Sequence, residues 1–405
     1  MCGLFYLTLP IMNVILFNNN HPNYYPLSLT RPIAYFRVGI LTIKEKWEQY
    51  YDSVSVKTED YLSVKFPLNV EKDNLWIDAR VFPTQGLITE LDNLRVGEAL
   101  DKDGETIAFR SGNFNTRKLN IIDSNSNFSL IHNLCDIFSL NGEEIKNDFD
   151  LMFPQENRKW QGSLQKLEQI RLSSIKIGNN PIWIEEGAKL QNCILNTTDG
   201  PIYIGKDAEI MEGAIVRGPF AMLNNSVVKM GSKIYGETTL GPYCKVGGEV
   251  NNVVFFGYSS KAHDGFLGNS VVGEWCNLGA DTNSSNLKNN YAEVKLWNYE
   301  KESFKSTGLQ FCGLIMGDHS KCAISTMFNT GTVVGVSANI FGAGFARNFI
   351  PSFSWGGASG FSVYKLPKVF DVAKKVFARR KIKFGRAEED ILTHVYNMTK
   401  RYRNE

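Results

Sequence analysis

A six-residue period in the second half of the chain constrains the fold more than any other feature. Apolar residues stand six positions apart without a gap at Ile204, Ile210, Val216, Met222, Val228, Ile234, Leu240 and Val246. An α-helix repeats about every 3.6 residues and a strand every 2, so neither produces this spacing. Hexapeptide repeats indicate a parallel β-helix, in which each side contributes one inward apolar residue and three sides complete a coil.

The period is interrupted twice before the repeat region ends. It weakens near Asn252, returns through Phe266, Val272 and Leu278, and returns again between Met316 and Ile340. The intervening residues 284–310 fit no coil and are predicted to protrude as a loop, where such scaffolds often carry function. The β-helix domain is therefore predicted over residues 180–362.

The first part of the chain has a different pattern, typical of an α/β domain. Strand-like and helix-like stretches alternate from Asn13 to about Leu172, which predicts a mainly parallel sheet over residues 12–175. The predicted strands are Asn13–Phe17 and Leu75–Phe82, and the predicted helices are Arg37–Tyr51, Leu87–Leu94, Ser129–Phe138 and Trp160–Leu172. A length of 405 residues exceeds the ~250–300 at which a single core stops growing, which agrees with separate domains.

Residues 365–405 are predicted to form a helical tail. Val369, Val372, Ala373, Val376 and Phe377 are spaced for one helical face, and a basic run follows them at residues 379–381. The basic run fits a solvated face or a contact between subunits better than a nucleic-acid site.

Composition indicates an ordinary globular protein. Hydrophobic residues make up 43% and charged residues 21%, and the net charge of +2 gives no reason to expect a nucleic-acid or membrane partner. Seven scattered cysteines without a C-x-x-C pair predict reduced, mostly buried thiols in the cytoplasm. The apolar start lacks a basic n-region and a cleavage site, so it is not expected to be a targeting segment. Met12 could be the true initiator.

The segment from Lys261 to Asn286 contains the residues best suited to chemistry. His263, one of five histidines, stands among small and polar residues at a break in the repeat. A histidine by itself is more often packed or solvated, but Asn277 and Asn286 lie on nearby repeats. An ordinary histidine, with a pKa of about 6.5, suits removal of a proton from an amine near neutral pH.

This segment resembles a known family: bifunctional UDP-N-acetylglucosamine pyrophosphorylase / glucosamine-1-phosphate N-acetyltransferases, especially their divergent bacterial branch and archaeal relatives. The resemblance covers about Asn13 to Phe361. The family motif H-x-x-(F/Y)-(L/I)-G-(D/N), followed by N-(I/L)-G-A and a further asparagine, is matched by His263, Phe266, Leu267, Gly268, Asn269, Asn277, Leu278, Gly279, Ala280 and Asn286.

The resemblance implies a nucleotidyltransferase-like α/β domain followed by a left-handed β-helix that forms a homotrimer, with acetyltransferase sites between subunits. It implies that His263 is the general base on the amine of glucosamine-1-phosphate. Asn277 and Asn286 are expected to position the sugar and acetyl-CoA, the co-substrate. Glu249 matches a glutamate that helps to hold the sugar and the histidine.

Three positions depart from the family pattern. Asn251 replaces the lysine that holds the sugar phosphate, and Arg217 and Lys261 are possible substitutes for it. Phe266 replaces the usual tyrosine and removes one hydroxyl group. Asp281 adds a carboxylate where glycine is normal, so the substrate could differ from glucosamine-1-phosphate.

The amino-terminal domain lacks the glycine-rich loop with which nucleotidyltransferases cradle phosphates. Residues 16–32 stand in its place, and within them Thr30 and Arg31 match nucleotide-binding positions of the family. Asp78 roughly matches the aspartate that binds Mg²⁺, although an aspartate that caps a turn at a strand end is an equally good interpretation.

Three functions follow from these features. The leading hypothesis is an acetyl-CoA-dependent N-acetyltransferase acting on an amino sugar phosphate, coupled to uridylyl transfer in UDP-N-acetylglucosamine synthesis. The second is a sugar-1-phosphate nucleotidyltransferase that makes UDP- or dTDP-sugars and uses the β-helix only as a trimer scaffold. The third is a non-catalytic protein that binds sugar nucleotides.

Overall fold

The computed structural model describes residues 12–19, 21–153 and 173–403. They form two compact units. The first contains the described residues before Asn20 together with Pro32–Tyr35 and Leu41–His132, and the second contains His21–Arg31, Phe36–Ile40 and the described residues from Asn133 onward. The units therefore interleave along the chain, whereas the sequence suggested a single boundary near residue 180. The predicted helix Trp160–Leu172 lies outside the described residues.

The first unit is built on a six-stranded sheet of order β2-β1-β3-β5-β4-β6. Its strands are β1 Asn13–Phe17, β2 Ser53–Lys57, β3 Asn74–Asp78, β4 Glu98–Lys102, β5 Glu105–Ser111 and β6 Asn120–Asp123. β1 pairs in parallel with β2 and β3, while β5 is antiparallel to both of its neighbours. All five residues of β1 are buried, as expected for a central parallel strand.

Helices in the first unit are short: α1 Ile43–Trp47, α2 Asp60–Ser63 and α3 Gln85–Asn93. Only Ile43–Trp47 of the predicted helix Arg37–Tyr51 is helical. Gly39 has a φ of 90°, and Thr42 caps α1 by accepting from the Glu45 amide. The predicted helix Ser129–Phe138 is also mostly wrong. Leu130 forms a bridge with Val81 instead.

The second unit is a left-handed parallel β-helix preceded by α4 Asp136–Ser139 and α5 Asn141–Met152. We number its three sides in chain order. Side 1 contains β7 Ile175–Ile177, β10 Ile194–Asn196, β13 Ile215–Arg217, β16 Lys233–Ile234, β23 Asn283–Ser284 and β28 Met327–Phe328. Side 2 contains β8 Ile182–Ile184, β11 Ile202–Ile204, β14 Phe220–Met222, β17 Thr238–Leu240, β26 Ile315–Met316, β29 Val333–Val334 and β31 Phe349–Ile350.

Two longer strands continue from side 1 into side 2: β19 Glu249–Gly257 and β21 Phe266–Glu274. Side 3 contains β9 Lys189–Leu190, β12 Glu209–Ile210, β15 Val227–Val228, β18 Lys245–Val246, β20 Ser260–Lys261, β22 Asn277–Leu278, β27 Lys321–Cys322, β30 Asn339–Ile340, β32 Ser354–Gly357 and the antiparallel β33 Gly360–Val363. The apolar residues of the six-residue series all lie in the buried core of this β-helix, which confirms the predicted fold.

Left-handed backbone conformations form the corners between the sides. At the corner between sides 2 and 3, Tyr243, Tyr258 and Trp275 have φ values of 59°, 55° and 61° on successive coils. Such angles are unfavourable for residues other than glycine. Their rings stack with centroids 5.3 and 4.1 Å apart, which offsets part of this cost.

The insertion carries an antiparallel hairpin formed by β24 Lys295–Asn298 and β25 Ser303–Ser306. Its Trp297 ring stacks on Phe349 of a late coil, with centroids 4.3 Å apart. The predicted loop therefore contains a hairpin that packs against the β-helix.

The helical tail is confirmed as α6 Leu366–Ala378 and α7 Arg386–Met398. Val369, Ala373 and Phe377 form the buried face of α6, and the Phe377 ring stacks on Trp275 at 3.9 Å. This contact places α6 along the aromatic corner. In the described part of the chain, no helix is long and apolar enough to cross a membrane.

Candidate active site

His263 lies at the corner that joins side 3 to side 1. The residues of this corner pack directly on Gly247 and Gly248 of the preceding coil. A Cβ atom at Gly248 would come within 2.8 Å of Asp264 Cα and 3.0 Å of His263 O, so only glycine fits there. The His263 side chain is exposed, and no described residue hydrogen-bonds to its imidazole. The ring is therefore accessible to a ligand.

Lys261 lies inside the β-helix. Its strand register places it between Val246 and the level of Leu278 in the inward column of side 3, and it is completely buried. Its Nζ donates to the carbonyl oxygens of Gly247 at 2.9 Å and His263 at 3.0 Å. Burial lowers the pKa of Lys261 to about 8, although Asp264 and Asp281 act in the opposite direction. This placement does not fit the suggestion that Lys261 holds the sugar phosphate.

We expect Lys261→Met to raise the free energy of unfolding at pH 7. The fall of the lysine pKa from 10.5 to about 8 corresponds to a destabilisation of the folded protein by at most about 3 kcal/mol. The variant also loses the two hydrogen bonds of the ammonium group, which reduces its gain in stability. The folded state binds the proton more weakly than the unfolded state, so this penalty is fully present below pH 8 and disappears as the pH rises to 10.5. Urea unfolding of both proteins at pH 7 and pH 10 measures the difference.

The exposed Lys233 provides the matched control, because Lys233→Met removes the same charge from the surface. A stability difference between Lys261→Met and the unmodified protein that does not shrink between pH 7 and pH 10 would contradict a charged lysine in the core.

Glu249 and Phe266 lie on side 1 next to the His263 corner. They are direct neighbours in the register of β19 and β21, and both side chains are partly exposed. Glu249 lies 3.8 Å from the ammonium group of Lys233 on the strand before it. The structure thus brings Glu249, Phe266 and His263 to one edge of the β-helix.

Asn277 and Asn286 lie on the coil that follows, but on different sides. Asn277 is exposed on side 3, where it pairs with Ser260 in the register. Asn286 lies past the end of β23 and donates to Asn269 Oδ1 at 2.8 Å. The two asparagines therefore flank the His263 corner from opposite directions.

Asn283 is a further residue at this corner that the sequence motif did not include. Its Oδ1 accepts from the Phe266 amide at 2.8 Å and its side chain is exposed. It occupies the same outward position on side 1 as Phe266 one coil earlier, which is the signal that could have identified it.

Arg217 is exposed on side 1, two strands before Asn251 in the same register column. With strands about 4.8 Å apart, its Cα lies roughly 10 Å from that of Asn251. Asp199 is the nearest carboxylate, at 3.9 Å from Nε. Arg217 is thus on the correct face for a substitute cation but does not touch the corner.

Thr30 and Arg31 make internal contacts in the second unit. Thr30 Oγ1 donates to Asp318 Oδ2 at 2.7 Å, and Arg31 forms ion pairs with Asp318 and, at 2.8 Å, with Glu274. Burial opposes the charge on Arg31, but Asp318 and Glu274 together raise its pKa. Their prediction as nucleotide-binding residues does not fit these contacts, since both side chains are already engaged in the β-helix unit.

Asp78 lies at the end of β3 and is completely buried. Both of its oxygens accept from the Arg80 guanidinium, at 3.0 and 2.6 Å, and Asn19 Nδ2 lies 3.1 Å from Oδ2. Asp78 Oδ1 also caps the turn by accepting from the Arg80 amide at 2.9 Å. No group of three potential metal ligands occurs among the described residues. These residues do not fit a Mg²⁺ site.

Residues 14–157 match the family model of sugar nucleotidyl transferases. The bifunctional protein GlmU of Methanocaldococcus jannaschii is 29% identical over 118 residues, which are 29% of this chain and 26% of that protein. A bifunctional sugar-1-phosphate nucleotidylyltransferase/acetyltransferase of Sulfurisphaera tokodaii is 31% identical over 144 residues, 35% of each chain. Over these segments the chain is similar to both proteins.

The sequence match spans only about a quarter to a third of the length of those relatives. Among solved structures, the polySia specific acetyltransferase NeuO is 10% identical with a TM-score of 0.27, and covers 47% of this chain and 85% of its own. The polysialic acid O-acetyltransferase OatWY is 13% identical with a TM-score of 0.23, and the match covers 47% of this chain and 88% of that one.

Proposed function

We propose that the β-helix of this protein transfers the acetyl group of acetyl-CoA to the amine of glucosamine-1-phosphate or a related amino sugar phosphate. The observation that carries the proposal is His263, whose exposed imidazole has no hydrogen-bond partner in the described part of the chain. Lys261 holds its backbone from inside the β-helix, and Glu249 lies on the coil below. A fixed corner with an accessible base is what removal of a proton from a bound substrate requires.

The proposed reaction needs one base and one nucleophile. The lone pair of the substrate amine attacks the thioester carbonyl carbon, and the imidazole of His263 accepts the proton that the nitrogen loses. The carbonyl then re-forms as the carbon–sulfur bond breaks, and CoA leaves as the thiolate, which takes up a proton. Glu249, at the same edge, is placed to accept hydrogen bonds from sugar hydroxyl groups.

We further propose that the active assembly is a homotrimer. The support is a set of exposed apolar side chains along side 1 and its edges. They are 42–72% exposed: Ile175, Ile215, Tyr235, Ile324 and Phe345. Apolar residues exposed in rows on a β-helix face are typical of an interface. Light scattering should give three times the mass of one chain.

The substrate proposal is tested by product analysis. Incubation with acetyl-CoA and glucosamine-1-phosphate, without Mg²⁺, should yield N-acetylglucosamine-1-phosphate by mass spectrometry, while N-acetylglucosamine-1-phosphate itself should accept nothing. Free glucosamine measures the contribution of the phosphate, whose usual lysine is replaced by Asn251. Acetylation of a hydroxyl group on the already N-acetylated sugar would contradict an amine acceptor.

Sugar nucleotide binding by the first unit is a second candidate function, favoured by the family match over residues 14–157. The buried Asp78–Arg80 pair leaves no carboxylate oxygen open to a metal, and Thr30 and Arg31 are engaged elsewhere. Binding of UDP-N-acetylglucosamine by calorimetry, without Mg²⁺-dependent pyrophosphate release from UTP, would support a binding role. Such release would instead support uridylyl transfer.

A further inference from the structure

Two cysteines that are 177 residues apart in sequence meet inside the second unit. Cys135 directly precedes α4, and Cys312 lies between the insertion hairpin and β26. Both are free thiols, their sulfur atoms are 3.7 Å apart, and they are only 2% and 0% exposed. A buried cysteine commonly acts as a small apolar residue, but two sulfurs in contact are also within reach of a covalent bond.

The backbone on both sides of this thiol pair is held by hydrogen bonds. The Cys135 amide donates to Asn133 Oδ1 at 2.8 Å. The Cys312 amide donates to the carbonyl of Asn286 at 2.9 Å, and its own carbonyl accepts from the Gly331 amide at 3.1 Å. A disulfide bond is about 2.05 Å long, so the sulfurs need to approach each other by roughly 1.7 Å to form one.

The thiol pair joins two segments that pack on the middle coils of the β-helix. α4 contacts the two long strands β19 and β21. On the other side of the pair, the Gly313 amide donates to the carbonyl of Asn269 at 2.8 Å, and Asn269 Oδ1 accepts from Asn286 Nδ2. A bond between the two sulfurs would therefore tie α4 to the point at which the insertion returns to the β-helix.

Oxidation of this pair is expected to be slow. The hydrogen bond to the Cys312 sulfur and burial raise the pKa of the Cys135 thiol. The thiolate is the reactive form of cysteine, so little of Cys135 is ready to react near neutral pH. Because both sulfurs are buried, we expect a small, uncharged oxidant to reach them more easily than a bulky disulfide does.

We propose that Cys135 and Cys312 form a reversible disulfide when the protein meets a hydroperoxide, and that this bond locks α4 to the base of the insertion. The thiolate of one cysteine attacks a peroxide oxygen, and the O–O bond breaks to leave a sulfenic acid and, after protonation, water. The second sulfur then attacks the sulfenic sulfur, the S–O bond breaks, and the leaving hydroxide departs as water with the proton of the second thiol. Two thiols thus give two electrons and two protons to one peroxide.

The test treats the full chain with hydrogen peroxide, alkylates the remaining thiols and maps the peptides by mass spectrometry. We expect a cross-linked peptide pair that contains Cys135 and Cys312 and is two hydrogen atoms lighter than the reduced pair. It should form faster at pH 9 than at pH 7, because more thiolate is present. The urea midpoint should rise, since the bond closes a loop of 177 residues in the unfolded chain, and dithiothreitol should reverse the rise.

Three variants separate this bond from other oxidation. Cys135→Ala and Cys312→Ala should each abolish the cross-linked peptide and the rise of the urea midpoint. Cys244→Ala removes a completely buried thiol elsewhere in the β-helix and should retain both effects. Peroxide treatment of the unmodified protein that yields only sulfinic acids or unreacted thiols at these two positions would overturn the proposal. An equal rise of the midpoint in Cys135→Ala would do the same.

Hydrogen exchange measures the lock itself and is independent of acetyl transfer. In the oxidised protein, the amides of residues 311–315 should exchange more slowly than in the reduced protein, because opening of this segment would have to move α4 as well. The amides of β2, which belongs to the first unit, should exchange at the same rate in both forms. A disulfide that forms without slowing exchange at residues 311–315 would contradict the lock.

Discussion

Replacement of His263 by alanine is expected to lower kcat for acetyl transfer about 10²–10⁴-fold, the usual contribution of a positioned general base. The KM for acetyl-CoA should change little, because the loss concerns proton transfer. The imidazole is exposed and packs into no core, so the free energy of unfolding should stay within about 0.5 kcal/mol. Initial rates and urea unfolding of the same preparations measure both quantities.

His132→Ala is the matched control, since this histidine is also exposed and belongs to the first unit. It should leave the rate unchanged. A His263→Ala protein that retains more than about a tenth of the activity would remove the histidine from the role of general base, whose loss is expected to cost at least a hundredfold.

Replacement of Arg31 by methionine is expected to destabilise the β-helix unit by about 3–5 kcal/mol. The change leaves Asp318, only 3% exposed, without its cation, and an unpaired buried charge carries a cost of this size. Thr30 Oγ1 and the Glu274 amide would still donate to the carboxylate, which keeps the loss below that of a bare ion. The midpoint of urea unfolding, with the slope unchanged, measures the effect.

Two further proteins test the reason for this loss. Arg31→Met/Asp318→Asn removes both charges and should regain part of the stability. Arg386→Met breaks an exposed pair with Asp390 and should cost less than about 1 kcal/mol. An Arg31→Met protein as stable as the Arg386→Met protein would contradict the view that residues 21–31 anchor the β-helix unit.

The β-helix could be predicted from sequence because its information is local and repeated. Every coil places an apolar residue in the same column, so a series such as Ile204 to Val246 defines the fold by itself. Lys261 occupies a position in the inward, apolar column of side 3, between Val246 and Leu278. The sequence suggests Lys261 as a substitute for the phosphate-binding lysine, because the short Gly247–Gly248 corner shifts the period before it and a lysine in an apolar column has no sequence signal of its own.

The contacts of the predicted nucleotide-binding and Mg²⁺-binding residues could not be predicted in the same way. Thr30 and Arg31 match family positions, but their partners Glu274 and Asp318 lie more than 240 residues away in sequence. A single sequence contains no pattern that joins such positions. For Asp78 the local interpretation was available and fits the structure, because the Arg80 amide two residues later donates to its carboxylate.

The helix predictions failed where backbone geometry outweighed apolar spacing. Residues 37–51 carry a helix-like pattern, yet a Cβ at Gly39 would lie 2.4 Å from Asp148 Oδ2, so this glycine packs closely against α5 within the second unit. The helix therefore begins only after Thr42. Tertiary packing of this kind routinely overrides local propensity.

The most direct test of the central proposal is a thiol-release assay with the unmodified protein, acetyl-CoA and glucosamine-1-phosphate in the absence of Mg²⁺. The proposal predicts that free CoA thiol appears only when the amino sugar phosphate is present, in equal amount to the acetylated amine. Thiol release that is no faster with the amino sugar phosphate, or with related amino sugar phosphates, than without it would contradict acetyl transfer by this β-helix.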